Sequence, residues 1–568
     1  MTPDRSPKGA PAAPGRVPTN AEAAAIFREI ADLLDVLGEQ FKPEAYRRAA
    51  RSIESLTESL SEVAARNELR MVPGVGDAIA EKIRELLATG HIAYRDRLVR
   101  EVPPGLLEIV RLPGLGPKTA RRFWVELGVE GPAELRAAID AGRLEGVKGF
   151  GAKKIAQIRE ALGTGGAAAP SARRPIEEAY PVAIALLETL RQRAPVEQAE
   201  IAGSFRRGRE TVGDLDLLVT SRTPEAVFDV FSALPEVREV RLRGGTKETV
   251  ILANGLQVDL RVVEPEEFGA ALLYFTGSKD HNVRLRTLAR ERGLKVNEYG
   301  IFRGDERIAG RTEAEVYAAL GLAWIPPELR EDHGEIDAAA KGEMPRLVQA
   351  DDLRGDLHVH LTGGTADDEI DRVLDDARAR RYTYVGLVVA GVGDDGRPSP
   401  ASPGVRARLE RRAETAGPRV ERAIEIGPNG APAVLAGERP DYWVLRAGAE
   451  TAPGASTGAV PGTRLLAHLS AGGDASDERL RAWLTVARER SLAVEVGPGP
   501  ARLDSRAARL ALTLGLSLAI PTGLGGGPHD PTLPIALAFA RRAGAGPKQV
   551  ANALERSATA PRSARPKR

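Results

Sequence analysis

Two closely spaced aspartates, with a third in a separate apolar run, are the side chains of this sequence best suited to holding metal ions. Asp214 and Asp216 lie in the run Gly213–Val219, whose apolar residues predict a strand. Alternate residues of a strand face the same side, so both carboxylates point together. Such a pair repels unless cations neutralise it, and hard divalent ions prefer oxygen ligands. Asp259 lies in Gln257–Val263, an apolar strand-like run where a solvent-facing aspartate would be unusual.

A glycine-rich turn before the aspartates is suited to holding phosphate. Gly203 and Ser204 open the run Gly203–Gly208, so backbone amides and a hydroxyl can face phosphate oxygens, and Arg207 adds positive charge. Gly213 directly precedes the first aspartate. The alternative interpretation is a surface turn with two unrelated aspartates. It is disfavoured because the glycine turn, the arginines and the third aspartate occur together.

A Pro-Gly-x-Gly motif occurs twice in the first part of the chain, each time before a helical pattern. The first copy contains Gly74 and Gly76, the second contains Gly114 and Gly116, and a looser third copy ends at Gly151. The glycines permit tight turns, and the following helix directs N–H groups and its positive dipole end toward an anion. One copy alone would be explained equally well as a helix cap, but repetition favours binding of a DNA backbone. Lysines lie near the motifs: Lys82, Lys118, Lys148, Lys153 and Lys154.

Length and composition limit the classes of protein to be considered. A chain of 568 residues is too long for one core, and a net charge of +1 confines any nucleic-acid site to a local basic surface. The absence of cysteine rules out disulfides and thiolate metal sites. The N-terminus lacks the apolar stretch of a signal peptide, and the best apolar run, Ala511–Ile520, is too short to span a bilayer. We therefore expect a cytoplasmic protein with no membrane contact.

Changes in pattern divide the chain into helical, mixed and alternating parts. Helical spacing continues from Asn20 to about residue 162, short strand-like runs follow to about 332, and strands alternate with helices from Leu353, as in a parallel barrel. The predicted divisions are a disordered arm 1–19, helical domains 20–95 and 96–165, a linker 166–177, a mixed domain 178–263 with a subdomain 264–332, a linker 333–352, a barrel 353–560 and a basic tail 561–568.

The aspartate and glycine motifs resemble those of the nucleotidyltransferase superfamily. The resemblance implies two magnesium or manganese ions bound by Asp214, Asp216 and Asp259. One ion would lower the pKa of an attacking 3′-hydroxyl, and the other would neutralise the leaving pyrophosphate. The Pro-Gly-x-Gly units resemble helix-hairpin-helix motifs. The expected fold is multidomain α plus α/β: a helix-hairpin-helix N-terminal region, a nucleotidyltransferase palm with a mixed sheet, and a distorted C-terminal (β/α) barrel.

One segment narrows the resemblance to a single family. The run Tyr274–Arg286 is closely similar to the nucleotide-binding helix of X-family DNA polymerases, and Gly293–Gly300 also matches that family. The resemblance extends over residues 20–330. It implies DNA as the partner and a deoxynucleoside triphosphate as the substrate.

The same resemblance implies roles for individual residues of this segment. Tyr274, Phe275 and Gly277 would line the sugar pocket and exclude a 2′-hydroxyl. Asn282 would touch the minor-groove edge of the incoming base, and Arg286 would touch the template strand. Without the flanking motif, the tyrosine–phenylalanine pair would be interpreted as ordinary core packing.

The first domain resembles the amino-terminal lyase domain of the same family. There, a lysine forms a Schiff base with a 5′-deoxyribose phosphate, and Lys82 matches that position, with Lys42 and Tyr46 at two supporting positions. A nucleophilic lysine needs a lowered pKa, which desolvation or nearby cations supply. Ala78 stands where the family often has another lysine, which weakens this argument. The alternative that Lys82 only contacts a DNA phosphate stays open.

The C-terminal part resembles a polymerase-and-histidinol-phosphatase (PHP) domain that has lost much of its metal site. Gly355–His360 matches its opening, and the His-x-His pair faces one side of a strand. In bacterial X-family polymerases this domain supplies a 3′-exonuclease. Family ligands are missing from residues 364–366, 388–391 and 522–525. Those that remain are His358, His360, Glu425, His468 and Glu495.

Two interpretations of this domain are open. We expect a barrel that folds but does not assemble its metal cluster, because a polynuclear site needs most of its ligands. The competing interpretation is a residual site with one or two ions and weak nuclease activity, using His529 and Asp530.

The function expected is template-directed synthesis that fills short gaps during base-excision or end-joining repair. Its partners would be gapped or primed DNA and dNTP, and the protein would be a nucleoid-associated monomer. One alternative is template-independent terminal transfer. Another is a non-catalytic DNA-binding scaffold that recruits repair partners, which the presence of all three aspartates disfavours.

Overall fold

A computed structural model of the chain contains two compact units. It describes residues 18, 20–56, 59–110, 112, 115–147, 150–151, 155–156, 158–159, 162, 173–360, 366–392, 398–399, 418–426, 440–447, 463–467, 469, 478–499, 502–527 and 529–554. Described residues up to 162 belong to the first unit and those from 173 onward to the second. The expected arm 1–19, except residue 18, and the tail 561–568 lie outside the described residues. Among the helices that the structure describes, none is long and apolar enough to cross a membrane.

The first unit is helical, as its periodicity predicts. Its buried residues recur at helical spacing and form one apolar cluster that extends from Ala23 to Leu162. Gly76 and Gly116 each directly precede a helix, so both hairpin motifs end at a helix N-terminus. The helices are Asn20–Leu37, Lys42–Ser55, Leu60–Ala65, Asp77–Thr89, Ala93–Glu101, Pro104–Val110, Pro117–Leu127 and Pro132–Asp140.

The second unit begins with the palm, which we define as residues 173–263. Its main sheet has five strands, in the order Gln198–Ile201, Asp214–Thr220, Gln257–Val263, Lys247–Leu252 and Val237–Arg243. The second and third of these are parallel, whereas the other neighbours are antiparallel, so the sheet is mixed as expected. Helices Ile176–Arg193, Gly203–Arg206 and Pro224–Ser232 belong to the palm, and a short pair Arg174–Pro175 and Thr211–Val212 lies beside the sheet.

The subdomain 264–332, which we call the nucleotide-binding subdomain because it carries the residues predicted to bind nucleotide, packs helices against a three-stranded sheet. Its helices are Phe268–Thr276, Lys279–Glu291 and Glu313–Ala319, and its strands are Lys295–Asn297, Gly300–Arg303 and Glu306–Ala309. The segment 333–352, expected to be a linker, is instead folded: its first part packs on this subdomain, and its Val348 lies in the apolar cluster that contains palm and barrel residues. It contains the helix Glu335–Lys341, whose Ile336 and Ala339 join the subdomain core. These two apolar positions were not recognised in the sequence, because most residues around them are polar.

The C-terminal part, from residue 353, is a barrel-like parallel sheet covered by helices. Its strands lie side by side in chain order: Gly355–His360, Tyr384–Val392, Arg419–Ile426, Tyr442–Arg446, Thr463–Ala467, Ala493–Glu495 and Leu518–Ala519. The helices include Ala366–Ala379, Glu478–Glu489, Ser505–Thr513 and Thr532–Arg542. Its strands are buried and rich in apolar residues, as expected for parallel strands covered by helices. The predicted fold class is therefore confirmed, with a helical N-terminal region, a mixed-sheet palm and a PHP-like barrel.

Candidate active site

The three aspartates lie on two adjacent parallel strands of the palm. Asp216 is directly opposite Asp259, and Asp214 is two residues earlier on the strand of Asp216. Burial, followed by the charges of Asp214 and Asp259, raises the pKa of Asp216 to about 7. Burial and the charge of Asp259 likewise raise the pKa of Asp214 above its usual value. Burial and the neighbouring acidic groups therefore disfavour ionisation of Asp214 and Asp216.

Donors from two strands surround Asp259 and hold its carboxylate in place. Lys247 Nζ lies 2.5 Å from Asp259 Oδ2, and the hydroxyl of Thr249 donates to Asp259 Oδ1 at 2.8 Å. Gln257 Nε2 donates to the same Oδ1 at 3.3 Å. The sequence prediction missed Lys247 and Thr249. Their alternation along the strand next to Asp259 was the available signal, but it identifies them only once the strand pairing is known.

The glycine turn lies against the aspartates. Gly203 has φ +66°, and a Cβ at this position would collide with the Asp216 carboxylate. Only glycine lets the turn approach the acidic side chain so closely. Arg206 and Arg207 follow in the turn, but both are bound inside the protein. Arg206 pairs with Glu313 at 2.7 Å, and Arg207 Nε lies 3.1 Å from Glu331 Oε1 while its Nη1 donates to the Thr276 carbonyl.

The predicted nucleotide-binding residues of the segment 274–286 lie on the helices Phe268–Thr276 and Lys279–Glu291 and in the turn between them. The Tyr274 and Phe275 rings meet edge to face at 5.2 Å, and Arg261 lies 4.1 Å over the Phe275 ring. Asn282 Nδ2 donates to the Tyr274 carbonyl at 2.7 Å, while its Oδ1 is buried without a hydrogen-bond partner among the described residues. Arg286 Nε donates to the Asn282 carbonyl at 3.3 Å.

Gly277 ends the helix that carries both rings. It has φ +73°, and the next residue, Ser278, caps the helix Lys279–Glu291 by accepting a hydrogen bond from the His281 amide at 3.2 Å. A left-handed turn of this kind favours glycine. The turn sets the relative direction of the two helices that carry Tyr274 and Asn282, and thereby brings these residues within hydrogen-bonding distance.

The acidic cluster fits divalent cations. Its ligands are carboxylate oxygens, which magnesium and manganese prefer. Burial is the first cause of the raised pKa values of Asp214 and Asp216, and the negative charge of the neighbouring aspartates adds to it. Bound cations would lower both pKa values by favouring the ionised forms. Asp259 already has the Lys247 ammonium as a partner, so the need for added positive charge is greatest at the other two aspartates.

In the first unit, Lys82 and Tyr46 both contact the ring of Tyr94. The Lys82 ammonium is 4.9 Å above the Tyr94 ring, and Tyr46 stacks on the same ring at 6.1 Å. Lys82 also donates to the Ala78 carbonyl at 3.1 Å. The third predicted residue, Lys42, pairs with Glu39 at 3.2 Å on the surface.

The hairpin residues are described only in part. Gly74 adopts φ +80° in the turn that leads to Gly76, which agrees with the need for glycine there. Lys118 lies in the first turn of the helix that follows Gly116. Gly114, Lys148, Lys153 and Lys154 lie outside the described residues.

Four of the predicted PHP residues converge inside the barrel. His358 lies between two carboxylates, with Nε2 2.9 Å from Glu425 and Nδ1 3.2 Å from Glu495, and His360 Nε2 lies 3.4 Å from Glu425. The ligand atoms of His358, His360 and Glu425 are close enough together to hold one metal ion. Burial alone would lower the pKa of His358, but Glu495 and Glu425 raise it to about 10. His468 lies outside the described residues.

Other groups in the barrel bear on the two interpretations of this cluster. Guanidinium groups approach both carboxylates, with Arg446 3.8 Å from Glu425 and Arg502 3.4 Å from Glu495. The alternative ligands are engaged elsewhere. His529 lies 4.0 Å from Glu188 of the palm, and Asp530 accepts a hydrogen bond from the Thr532 amide at 2.7 Å.

The fold and the site together define a class of protein, a nucleotidyltransferase-type palm joined to helix-hairpin-helix modules. Comparisons with known proteins give the family. Four family models match: a helix-hairpin-helix domain at residues 18–92, a SAM-like helix-hairpin-helix tandem at 106–164, DNA polymerase beta palm at 173–258 and DNA polymerase beta thumb at 271–331. The chain belongs to the X family of DNA polymerases, whose domains it carries within residues 18–331.

Curated relatives agree with this assignment. The chain is 34% identical over 367 residues to "DNA polymerase/3'-5' exonuclease PolX" of Bacillus subtilis (strain 168), covering 64% of this chain and 63% of the relative. It is 28% identical to "DNA polymerase lambda" of Rattus norvegicus, covering 58% and 61% of the two chains. It is 23% identical to "DNA polymerase lambda" of Arabidopsis thaliana, covering 55% and 62%. The similarity thus spans less than two thirds of each relative.

Proposed function

We propose that the protein is a DNA-directed DNA polymerase that fills short gaps during DNA repair, acting as a monomer on gapped or primed DNA. The observation that carries the proposal is the alignment of Asp214, Asp216 and Asp259 on two parallel strands beside the glycine turn. The match to the palm and thumb of a DNA polymerase supports DNA and dNTP as the substrates.

Each residue of the site has a task in this reaction. Asp214, Asp216 and Asp259 would hold two magnesium or manganese ions, which lower the pKa of the primer 3′-hydroxyl and neutralise the departing pyrophosphate. The turn at Gly203 and Ser204 would bind phosphate oxygens through its backbone amides and hydroxyl. The donors around Asp259 keep that carboxylate oriented, so little reorganisation is required when substrate binds.

Selection of the nucleotide would take place at the aromatic segment. Tyr274, Phe275 and Gly277 would face the sugar, where a 2′-hydroxyl would meet the backbone of the turn. The hydrogen bond from Asn282 to the Tyr274 carbonyl couples the base contact to the sugar contact. Arg286, one turn further along the helix, would reach the template strand.

Primer extension on a one-nucleotide gap tests the activity. The full chain with magnesium or manganese should insert the templated deoxynucleotide and discriminate against the ribonucleotide. Asp216→Ala should lower kcat by on the order of a thousandfold, since metal ions supply several kcal/mol of charge stabilisation. Asp229→Ala, a palm aspartate paired with Arg243 outside the site, is the matched control. Full activity of Asp216→Ala would refute the assignment, and equal insertion without a template would favour terminal transfer.

The hairpin unit would hold the DNA backbone on the 5′ side of the gap, and Lys82 is the candidate for a lyase step. The position of its ammonium over Tyr94, stacked in turn on Tyr46, supports a defined location for this amine. Borohydride should trap a covalent adduct with a 5′-deoxyribose-phosphate end, and Lys82→Arg should abolish it while DNA binding persists. If no adduct forms with the wild-type chain, Lys82 serves phosphate binding alone.

We propose further that the PHP-like barrel lacks the nuclease activity of a complete metal cluster. The approach of Arg446 and Arg502 to Glu425 and Glu495 supports this, because guanidinium groups supply positive charge where a cluster would require cations. A 3′-labelled single strand should persist with the full chain and manganese. Degradation that disappears in His358→Gln would contradict the proposal.

A further inference from the structure

Side chains of the barrel contact the end of the glycine turn and the residues that follow it. Gly208 has φ +63°, and a Cβ there would lie 2.6 Å from the Cβ of Ala538 in the barrel helix Thr532–Arg542. The Ser505 hydroxyl donates to Glu210, and Arg542 Nη1 donates to the Arg207 carbonyl at 2.9 Å. Residues 207–210 join the phosphate-binding turn to the strands that carry the aspartates. A short segment of the polymerase site is thus held by barrel side chains.

A shared carboxylate connects the barrel to the nucleotide-binding segment. Glu331 Oε1 lies 3.0 Å from Arg542, 3.1 Å from Arg207 and 3.7 Å from Arg209. Arg207 in turn donates to the carbonyl of Thr276, directly before Gly277. A continuous path of contacts therefore leads from the barrel through Glu331 and Arg207 to the aromatic segment.

The charge balance of this network depends on the barrel. Burial alone would raise the pKa of Glu331, but Arg207, Arg542 and Arg209 together lower it to about 2. Three guanidinium groups share one carboxylate, so positive charge is left over beside the phosphate-binding turn. Arg542 is itself buried, with 7% of its surface exposed, which limits screening by water. Without Arg542, Glu331 would neutralise a larger share of the charge on Arg207.

The palm and the barrel also share one apolar core. Palm residues Leu186 and Phe228 and barrel residues Phe539 and Trp483 belong to a single cluster of buried side chains. A shared core of this size restricts the motion of the palm relative to the barrel. A hydrogen bond between the two can therefore fix a backbone position. The barrel thereby supplies both rigidity and specific hydrogen bonds to the palm.

We infer that Arg542 is a positioning residue for nucleotide binding, and that the barrel supports the polymerase site through it. The inference rests on the proposed function, because it assigns the barrel an effect on the affinity for dNTP. The described contacts of Arg542 are with Ser505, Arg207 and Glu331 and do not include the three aspartates. We therefore expect Arg542 to affect nucleotide binding and not the transfer step. Its action passes through Arg207, Glu331 and the backbone of residues 207–210.

Steady-state gap filling by full-length variants tests the inference. Arg542→Ala should raise the KM for dNTP roughly tenfold, the effect of one charge-assisted hydrogen bond, while kcat stays within about twofold of the wild type. Arg542→Lys keeps the charge but loses the planar fork that contacts Ser505, Arg207 and Glu331, so its KM should lie between those of the wild type and Arg542→Ala. The affinity for gapped DNA should be unchanged.

Arg541 provides the matched control. It precedes Arg542 on the same helix and joins the barrel to the nucleotide-binding subdomain through Glu328, with contacts of 2.7 and 3.2 Å, but it does not reach Arg207 or Glu331 among its described contacts. Arg541→Ala should leave the KM for dNTP within twofold. An equal rise in both alanine variants, or an unchanged KM in Arg542→Ala with the wild-type melting temperature, overturns the inference. Absence of synthesis by the wild-type chain would instead defeat the proposed function.

Discussion

Glu313→Ala should strongly destabilise the nucleotide-binding subdomain, because this carboxylate balances a buried arginine. Arg330 is fully buried and its Nη1 and Nη2 contact Glu313 at 2.6 and 3.0 Å. Arg206, from the palm, binds the same carboxylate at 2.7 and 3.0 Å. Removing the acid leaves a guanidinium group without its counter-charge in a site that excludes water. Breaking a buried pair in this way costs about 3–5 kcal/mol.

The pKa of Glu313 shows how strongly the fold favours its ionised form. Burial alone would raise it, but Arg330 and Arg206 lower it to about 2, against an ordinary value of 4.5. This difference corresponds to about 3 kcal/mol of stability. Because the pKa is lowered by folding, the contribution is complete above pH 4.5 and is lost as the pH falls toward 2.

Hydrogen exchange measured on peptides that cover Glu313–Ala319 is a suitable assay, since a chain with several domains does not unfold in one step. A loss of about 3 kcal/mol corresponds to exchange roughly a hundredfold faster. The control is Glu266→Ala, which removes a surface pair with Arg311 at 3.1 Å and should cost less than about 1 kcal/mol. Glu313→Leu combined with Arg330→Met should recover much of the loss. If Glu313→Ala and Glu266→Ala behave alike, the reasoning about buried charge is wrong.

Three further predictions concern the palm. Gly203→Ala should abolish synthesis, because its Cβ would collide with Asp216, whereas Gly245→Ala, which has open space around it, should retain activity in the same primer-extension assay. Thr249→Val should lower kcat about tenfold by removing a hydrogen bond to Asp259, and Thr249→Ser should restore it; equal rates for all three would contradict this. Glu248 is buried, which raises its pKa to about 7, so its cost to stability grows as the pH rises from 4.5 to 7. Glu248→Gln should therefore raise the melting temperature more at pH 8 than at pH 5, and equal shifts would count against a buried charge.

The elements of the palm could be predicted where the side-chain pattern is strong. Alternation identified the strand Asp214–Thr220, and the apolar run 257–263 became a strand with the predicted bounds. The strand Val237–Arg243 was not predicted, because four of its seven residues are charged and all four of these are exposed. It lies at the edge of the sheet, where one side of the strand lacks a neighbour and burial does not enforce alternation. The strand Arg419–Ile426 was also not predicted, since four of its eight residues are charged.

The sequence alone predicted which residues are suited to bind metal and phosphate, because chemistry of this kind depends on local spacing: two aspartates at alternate strand positions, and a glycine where the turn approaches them. Which residues surround these aspartates and this glycine depends on the tertiary structure. The register that puts Asp216 opposite Asp259, and the hydrogen bond from Arg542 to a residue 335 positions earlier, depend on packing between distant elements. Such contacts leave no local periodicity, because each arginine or glutamate by itself has the pattern of an ordinary surface residue until the fold buries it beside its partner.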